Sequence, residues 1–184
     1  MLDTLSTSAT HWVFGYGSLI WNPGFTHVSA QQGLLRGAHR SLSIYSHHHR
    51  GTEAQPGLVF GLTRGGSCRG MVFEVADSDW RGVHDYLRER EQVTGVYREA
   101  MRKVWLADGR MVGALAFVVD ERHFQYAGRL ELERQLAMVQ AGMGVSGPNI
   151  DYVLNTARRL SELGIRDRQL MALAEMLTRE LGTA

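Results

Sequence analysis

The sequence has 184 residues, 44% of them hydrophobic, with 20 Lys and Arg against 19 Asp and Glu. This length supports a single hydrophobic core, so separate substrate and cofactor domains are not expected. The near-even charge provides no positive field for nucleic acid or an acidic membrane surface, and no run approaches the ~18 apolar residues that span a bilayer. A small-molecule partner is favoured over nucleic acid or membrane.

The first residues and the single cysteine indicate a location inside the cell. Residues 1–11 lack both the basic residues and the long apolar core of a signal peptide. Cys68 has no second cysteine with which to form an intramolecular disulfide. We therefore expect a cytoplasmic protein, with a tail over residues 1–11 and a single domain over residues 12–184.

The front two thirds of the chain predict short strands separated by glycine. Strands are expected from Trp12 onward and over residues 34–46, 57–63, 68–75, 96–106 and 110–120. Within these segments apolar residues form continuous runs or alternate, as in strands. The last two segments flank Asp108-Gly109, a pair that favours a tight turn, so they are predicted to form a hairpin.

One helix is predicted between the strands, and three more close the chain. Their expected ranges are residues 78–90, 130–143, 149–163 and 167–181. Asp77 or Ser78 is the expected N-cap of the first helix. In the last helix, apolar residues recur at intervals of three and four residues. The order of elements predicts an α+β protein, with a mixed sheet or small β-barrel and helices packed outside.

Glu91 is the first candidate for catalysis. The helix before it places Trp80, Val83, His84 and Leu87 on one stripe, and a further step of four residues reaches Glu91. Arg88, Glu89 and Arg90 point elsewhere and are expected to be solvated. Burial would raise the pKa of the Glu91 carboxyl, as suits a group that takes and gives a proton near neutral pH. The alternative is an ordinary charge at a helix end.

A glycine-rich turn is the second candidate. Tyr16, Gly17, Ser18 and Leu19 follow an apolar strand, and glycines allow backbone N–H groups to converge on a carboxylate or an oxyanion. Ile20 stands where a Rossmann fingerprint requires its third glycine, and no Gly-Lys-Ser/Thr follows as in a Walker loop. A tight structural turn between strands is the alternative.

These residues resemble a known family. Val13 to Trp21 is similar to the segment near the start of ChaC-like, glutathione-specific gamma-glutamyl cyclotransferases. Further matches follow in family order: His49-Arg50-Gly51 with Pro56-Gly57, Arg90-Glu91 with Gly95 and Tyr97, Tyr126-Ala127-Gly128, and Gly144 to Asn149 with Tyr152. The resemblance covers the chain from about Trp12 to its end.

The resemblance implies a small barrel with flanking helices and a reaction that converts glutathione to 5-oxoproline and cysteinylglycine. It implies Glu91 as the general acid and base. The alpha-amine of the substrate is the nucleophile, so neither a cofactor nor a metal is expected. Arg50 is a candidate partner for a substrate carboxylate, although a solvated loop residue is the alternative. Tyr97 and Tyr126 are candidates to line the site, or else tyrosines of the core or rim.

Three alternatives remain open. His47-His48-His49 invites a metal site, but alternate residues of a strand face opposite sides and no second cluster completes a ligand set. A second alternative is a cyclotransferase whose substrates are other gamma-glutamyl amino acids or amines. Such an enzyme would use the same Glu91 and the same glycine turn. A non-catalytic ChaC-like binding or regulatory module is the reading from a different functional class, and the sequence leaves the oligomeric state undetermined.

Overall fold

Seven strands and four helices make up the part of the chain described by the computed structural model, residues 10–182. The strands are β1 Thr10–Gly15, β2 Ser29–Ser46, β3 Gly57–Ala76, β4 Tyr97–Leu106, β5 Met111–Val119, β6 Met143–Gly144 and β7 Gly147–Pro148. The helices are α1 Asp77–Glu91, α2 Leu132–Ala141, α3 Asn149–Glu162 and α4 Arg168–Leu181.

The predicted tail and domain are only partly covered by these residues. Residues 1–9 of the tail and 183–184 of the domain lie outside the described residues. Strand β1 begins at Thr10, two residues before the predicted boundary at Trp12. The division into tail and single domain stays a prediction.

The first five strands close into a barrel in the order β1-β3-β2-β4-β5. Every neighbouring pair is antiparallel except β1 and β5, which meet in parallel with Val13 opposite Leu115. The prediction of an α+β fold with a small mixed barrel is confirmed, as is the hairpin of β4 and β5. Among residues 10–182, no helix combines the length and the apolar character needed to cross a membrane.

Strands β2 and β3 of the barrel are long, so the expectation of short strands was wrong. β2 has 18 residues and β3 has 20, and β3 unites two segments predicted to be separate. The predicted gap contains Gly65 and Gly66, both with positive φ, which interrupt the side-chain pattern while the chain continues as a strand. Register shifts in the β2–β3 ladder mark bulges that bend the two strands toward closure.

The helices cover the outside of the barrel. In α1, Val83 and Leu87 are buried as the stripe predicts, and α4 buries Leu170, Leu173 and Leu177. The predicted N-cap of α1 was wrong because Ala76 occupies that position and no side chain caps it. Asp77 instead pairs with the imidazole Nε2 of His11 at 2.9 Å, which ties the start of α1 to β1.

Candidate active site

A cavity of about 360 Å³ opens where β1 and α1 both end. Seven of the eight predicted site residues line it: Tyr16, Gly17, Ser18, Leu19, Arg50, Glu91 and Tyr97. The structure thus brings together side chains separated by up to 81 residues of sequence, from Tyr16 to Tyr97. Tyr126 lies outside the lining, whereas its neighbour Gln125 contributes to it.

Glu91 is the last residue of α1, and its side chain is only 16% exposed. Burial raises the pKa of its carboxyl above the ordinary 4.5, while the adjacent Arg90 guanidinium acts in the opposite direction. The Arg90 Nε lies 3.4 Å from Glu91 Oε1. A carboxyl in this setting can exchange a proton near neutral pH.

The glycine turn faces the same cavity. Residues Ser18–Ile20 form one 3₁₀ turn, whose first backbone bond runs from Ile20 N–H to the Gly17 carbonyl at 3.0 Å. Ser18 and Leu19 come before Ile20 in the chain, and their N–H groups have no backbone acceptor in the described part of the chain. They are available to a bound oxyanion or carboxylate.

The inner wall of the cavity is aromatic, and we define it as Tyr16, Phe60, Tyr97, Phe117 and Tyr152. The Tyr16 hydroxyl donates to the Phe117 carbonyl at 2.8 Å, and the Tyr97 hydroxyl donates to the Phe60 carbonyl at 2.8 Å. The Tyr152 hydroxyl accepts the Phe60 N–H at 3.0 Å. Burial raises the pKa of all three tyrosines, so their hydroxyls remain protonated. The wall is therefore uncharged, and its tyrosines are held by hydrogen bonds to the backbone.

The rim of the cavity is polar, and we define it as His48, His49, Arg50, Val93, Thr94 and Ser146. Arg50 donates through Nη1 to the Pro148 carbonyl at 3.0 Å and packs over the Tyr152 ring. Its Nε and Nη2 make no protein hydrogen bond in the described residues. Burial lowers the pKa of Arg50, yet a guanidinium remains charged at neutral pH.

The segment that precedes α3 supports this rim. The N–H groups of Val145 and Ser146 donate to the His48 and His49 carbonyls, each at 3.0 Å. A Cβ added at Gly144 would lie 2.4 Å from the His48 carbonyl oxygen, so only glycine fits this approach. Burial lowers the pKa of His49, whose Nδ1 pairs with the Ser146 hydroxyl at 3.1 Å. The lowered pKa favours the neutral form of the His49 imidazole.

Arg90 corrects one of the sequence-based expectations. Arg88 and Glu89 are exposed as predicted, but the Arg90 side chain is only 19% exposed and turns toward the glycine loop. It lines the cavity beside Glu91. The prediction placed Arg90 in solvent from its angular position around the helix. It did not include the loop that covers this end of α1.

The remaining candidates from the sequence are Tyr126, a metal site and Cys68. Tyr126 forms a single bridge with Ile44 of β2 and lies half-buried beside the barrel. Within residues 10–182 no three His, Cys, Asp or Glu side chains are grouped to hold a metal ion. Cys68 is a buried free thiol inside β3 rather than at a strand start, and burial raises its pKa.

Two residues that matter to the cavity were not among the predicted site residues. Tyr152 was noted only as part of a motif, and Arg90 was assigned to the surface. The signal for Tyr152 was present, since a tyrosine on the buried stripe of a helix usually has a partner for its hydroxyl. Arg90 could have been found from its position next to a buried carboxylate.

Comparison with known proteins identifies the family. The model of the ChaC-like protein family matches residues 11–180. The glutathione-specific gamma-glutamylcyclotransferase of Escherichia coli K12 is 33% identical over 156 residues, which are 85% of this chain and 68% of that protein. The human glutathione-specific gamma-glutamylcyclotransferase 1 is 31% identical over 170 residues, with coverage of 89% and 77%.

Solved structures agree on the fold. The crystal structure of a yeast gamma-glutamyl cyclotransferase specific to glutathione superposes with a TM-score of 0.85 at 21% identity. The superposition covers 93% of this chain and 96% of the yeast chain. The family match extends over nearly all described residues, and the curated relatives match most of the chain. This protein therefore belongs to the ChaC-like family.

Proposed function

We propose that this protein is a gamma-glutamylcyclotransferase that converts glutathione to 5-oxoproline and cysteinylglycine. The observation that carries the proposal is a mostly buried carboxylate, Glu91, that shares one cavity with the N–H groups of Ser18 and Leu19, which have no backbone acceptor among residues 10–182. The names of the curated relatives support glutathione as the substrate. The cavity volume of about 360 Å³ lies within the usual range for small-molecule sites, about 300–1,000 Å³.

The reaction needs proton transfer and positioning. The alpha-ammonium of the glutamyl group gives a proton to the Glu91 carboxylate, and the free amine attacks the gamma-carbonyl carbon. A new carbon–nitrogen bond closes the five-membered lactam. The bond to the cysteine nitrogen then breaks as the proton held by Glu91 passes to that nitrogen. The attacking nitrogen gives up a second proton through Glu91, so the lactam keeps a single N–H and the dipeptide leaves as its ammonium. All atoms are accounted for without water or an enzyme nucleophile.

The glycine loop stabilises the charge that develops on the gamma-carbonyl oxygen. We assign this role to the N–H groups of Ser18 and Leu19, with Gly17 allowing the close approach of the backbone. One such donor is typically worth about 3 kcal/mol at the transition state. The hydroxyl proton of Tyr152 has no protein acceptor among the described residues, so it can serve as a further donor.

The remaining contacts are assigned from position. Tyr16 and Tyr97 confine the folded glutamyl chain against the wall. Arg50 binds the carboxylate of the leaving dipeptide through Nε and Nη2, the nitrogens that make no hydrogen bond to the described residues. Tyr126 receives no substrate contact because it lies outside the cavity. The proposed setting is the cytoplasm, since the buried free thiol of Cys68 suits a reducing compartment.

The test is an assay of purified protein with reduced glutathione, in which 5-oxoproline and cysteinylglycine are followed by mass spectrometry. We expect both products from the wild type, and a loss of about 10²–10⁴-fold in kcat for Glu91→Gln, which keeps the shape but cannot exchange the proton. Glu89→Gln, an exposed change two residues away on the same helix, is the matched control and should retain full activity.

Other gamma-glutamyl dipeptides and amines in the same assay decide substrate choice. Faster turnover of these than of glutathione would make the protein a cyclotransferase of broader or different specificity. If no gamma-glutamyl compound releases 5-oxoproline, or if Glu91→Gln is fully active, the mechanism is wrong. The ChaC-like binding module would then be the better interpretation.

A further inference from the structure

Arg90 makes several polar contacts at the end of α1. Its Nη2 donates to the Ser18 hydroxyl at 2.8 Å. Its Nη1 is within hydrogen-bond distance of the carbonyls of Asn22 and Pro23, at 2.8 and 3.2 Å, and of the Tyr86 hydroxyl at 2.8 Å. Its Nε lies 3.4 Å from the Glu91 carboxylate. One guanidinium thus joins the glycine loop, α1 and Glu91.

These contacts commit most of the Arg90 guanidinium to the protein rather than to a substrate carboxylate. All three of its nitrogens face protein acceptors, and its side chain is largely enclosed. Arg50 differs, because its side-chain hydrogen bonds in the described residues involve only Nη1. The two arginines of the cavity therefore have different tasks, although each has the same charge.

We propose that Arg90 is a positioning residue, which fixes the loop from Ser18 to Pro23 at a set distance from the Glu91 carboxylate. This inference rests on the function proposed above. The oxyanion donors sit on this loop and the proton acceptor sits at the end of α1, so their separation decides whether one substrate can contact both. Arg90 spans that gap with side-chain hydrogen bonds.

The local structure requires a guanidinium at this point. The planar fork reaches the Ser18 hydroxyl and the Asn22 carbonyl at the same time, whereas the single ammonium of lysine cannot reproduce both directions. The loop is also packed where Arg90 holds it. Gly24 has φ +73°, and a Cβ there would lie 2.1 Å from the Tyr86 hydroxyl, the same group that bonds Arg90.

Two variants separate the charge of Arg90 from its geometry. Arg90→Lys keeps the positive charge beside Glu91 but loses the fork, so we expect kcat to fall about 100-fold, as for a misplaced catalytic group, with KM little changed. Arg90→Gln also loses the charge. Because Arg90 lowers the pKa of Glu91, its removal raises that pKa, and the acid limb of kcat/KM moves to higher pH. Arg90→Lys should leave the acid limb in place.

A readout that does not need turnover keeps this inference distinct from the proposed function. In protein with ¹³C-labelled glutamate, the Glu91 carboxyl signal, assigned by its loss in Glu91→Gln, is titrated by NMR. The titration midpoint should be higher in Arg90→Gln than in the wild type and close to the wild type in Arg90→Lys. If the wild type does not cleave glutathione, the proposed function fails, and the titration still tests the contact of Arg90 with Glu91.

The controls fix how the results are interpreted. Arg88→Gln removes an exposed arginine from the same turn of α1 and should change neither kcat nor the Glu91 titration. Ser18→Ala combined with Arg90→Lys should lose no more activity than Arg90→Lys alone, because both changes break one connection. Fully additive losses, or an Arg90→Gln protein with unchanged kcat and unchanged titration, would overturn the proposal. If Arg90→Gln does not fold, the lysine variant and the double variant decide.

Discussion

The wall and the rim of the cavity differ in how their polar groups are used. The hydroxyls of the wall tyrosines bond to backbone groups of the barrel, as Tyr16 does with Phe117. The rim has exposed side chains, and Arg50 retains hydrogen-bond donors that have no partner in the described part of the chain. A substrate part that never changes needs a fixed surface, whereas a variable leaving group needs groups that are still free. We therefore assign the glutamyl half to the wall and the leaving amine to the rim.

The largest expected effect tests how the wall is held. The Arg40 side chain is 4% exposed and donates to the carbonyls of Tyr16 and Arg69 and to the Asp167 carboxylate, 3.2 Å away. Asp167→Asn preserves an acceptor for the Leu170 N–H at the start of α4 but removes the charge that Arg40 faces. Because a buried cation loses its partner, the free energy of unfolding should fall by about 3 kcal/mol or more in urea titrations.

The control for this prediction is Asp85→Asn, an exposed change on α1 that should leave stability unchanged. Asp167→Ala should be less stable than Asp167→Asn by about 1 kcal/mol, since it also removes the N-cap. If Asp167→Asn is as stable as the wild type, the Arg40–Asp167 ion pair does not stabilise the wall through the contact of Arg40 with Tyr16. The contrast between a fixed wall and a free rim would then lose part of its basis.

The next effect tests the rim. Arg50→Ala should raise KM for glutathione by about 10–100-fold, the usual contribution of a hydrogen bond to a charged group. It should have little effect on a gamma-glutamyl amine whose leaving group has no carboxylate. Steady-state kinetics with both substrates measures the difference, and Arg166→Ala, an exposed change elsewhere, is the control. Equal losses with both substrates would indicate that Arg50 acts only by packing on Tyr152.

The elements of the fold that depend on local signals could be predicted from the sequence. The Asp108-Gly109 turn and its two strands, and the helix that ends at Glu91, follow from neighbouring residues. The union of two segments into β3 could not be predicted locally, because Gly65 and Gly66 resemble a break until the paired strand β2 is present. Helix and strand types were thus accessible, whereas strand length depended on a partner.

The site shows the same division. Spacing along α1 indicated Glu91, and glycine content indicated the loop. The hydrogen bond of Arg90 to Ser18 spans 72 residues, and that of Tyr152 to Phe60 spans 92. No periodicity encodes contacts at such separations, so an arginine at an exposed helical angle was assigned to solvent. The candidate catalytic groups could be found from the sequence pattern, but the residues that contact and support them could be found only from the folded chain.

The smallest expected effect tests whether the ionised Glu91 carboxylate destabilises the folded protein. Burial, opposed by Arg90, holds the pKa of Glu91 above its ordinary 4.5, so the folded protein binds this proton more tightly than the unfolded chain does. Any stabilising contribution of Glu91 is therefore complete below about pH 4.5 and is lost as pH rises through the folded pKa. Glu91→Gln cannot ionise, so its Tm should exceed that of the wild type at pH 8 and approach it near pH 4.5.

Thermal unfolding of both proteins at pH 4.5, 6.5 and 8 measures this difference. Each unit of raised pKa is worth about 1.4 kcal/mol, and each kcal/mol moves Tm by about 2–4 °C for a chain of this size. Glu89→Gln, on the exposed face, should show no such pH-dependent gain. A Glu91→Gln protein that is less stable than the wild type at pH 8 would mean that the contact with Arg90 outweighs burial. Glu91 would then stabilise the fold in its ionised form, as the partner of Arg90 in an ion pair at the end of α1.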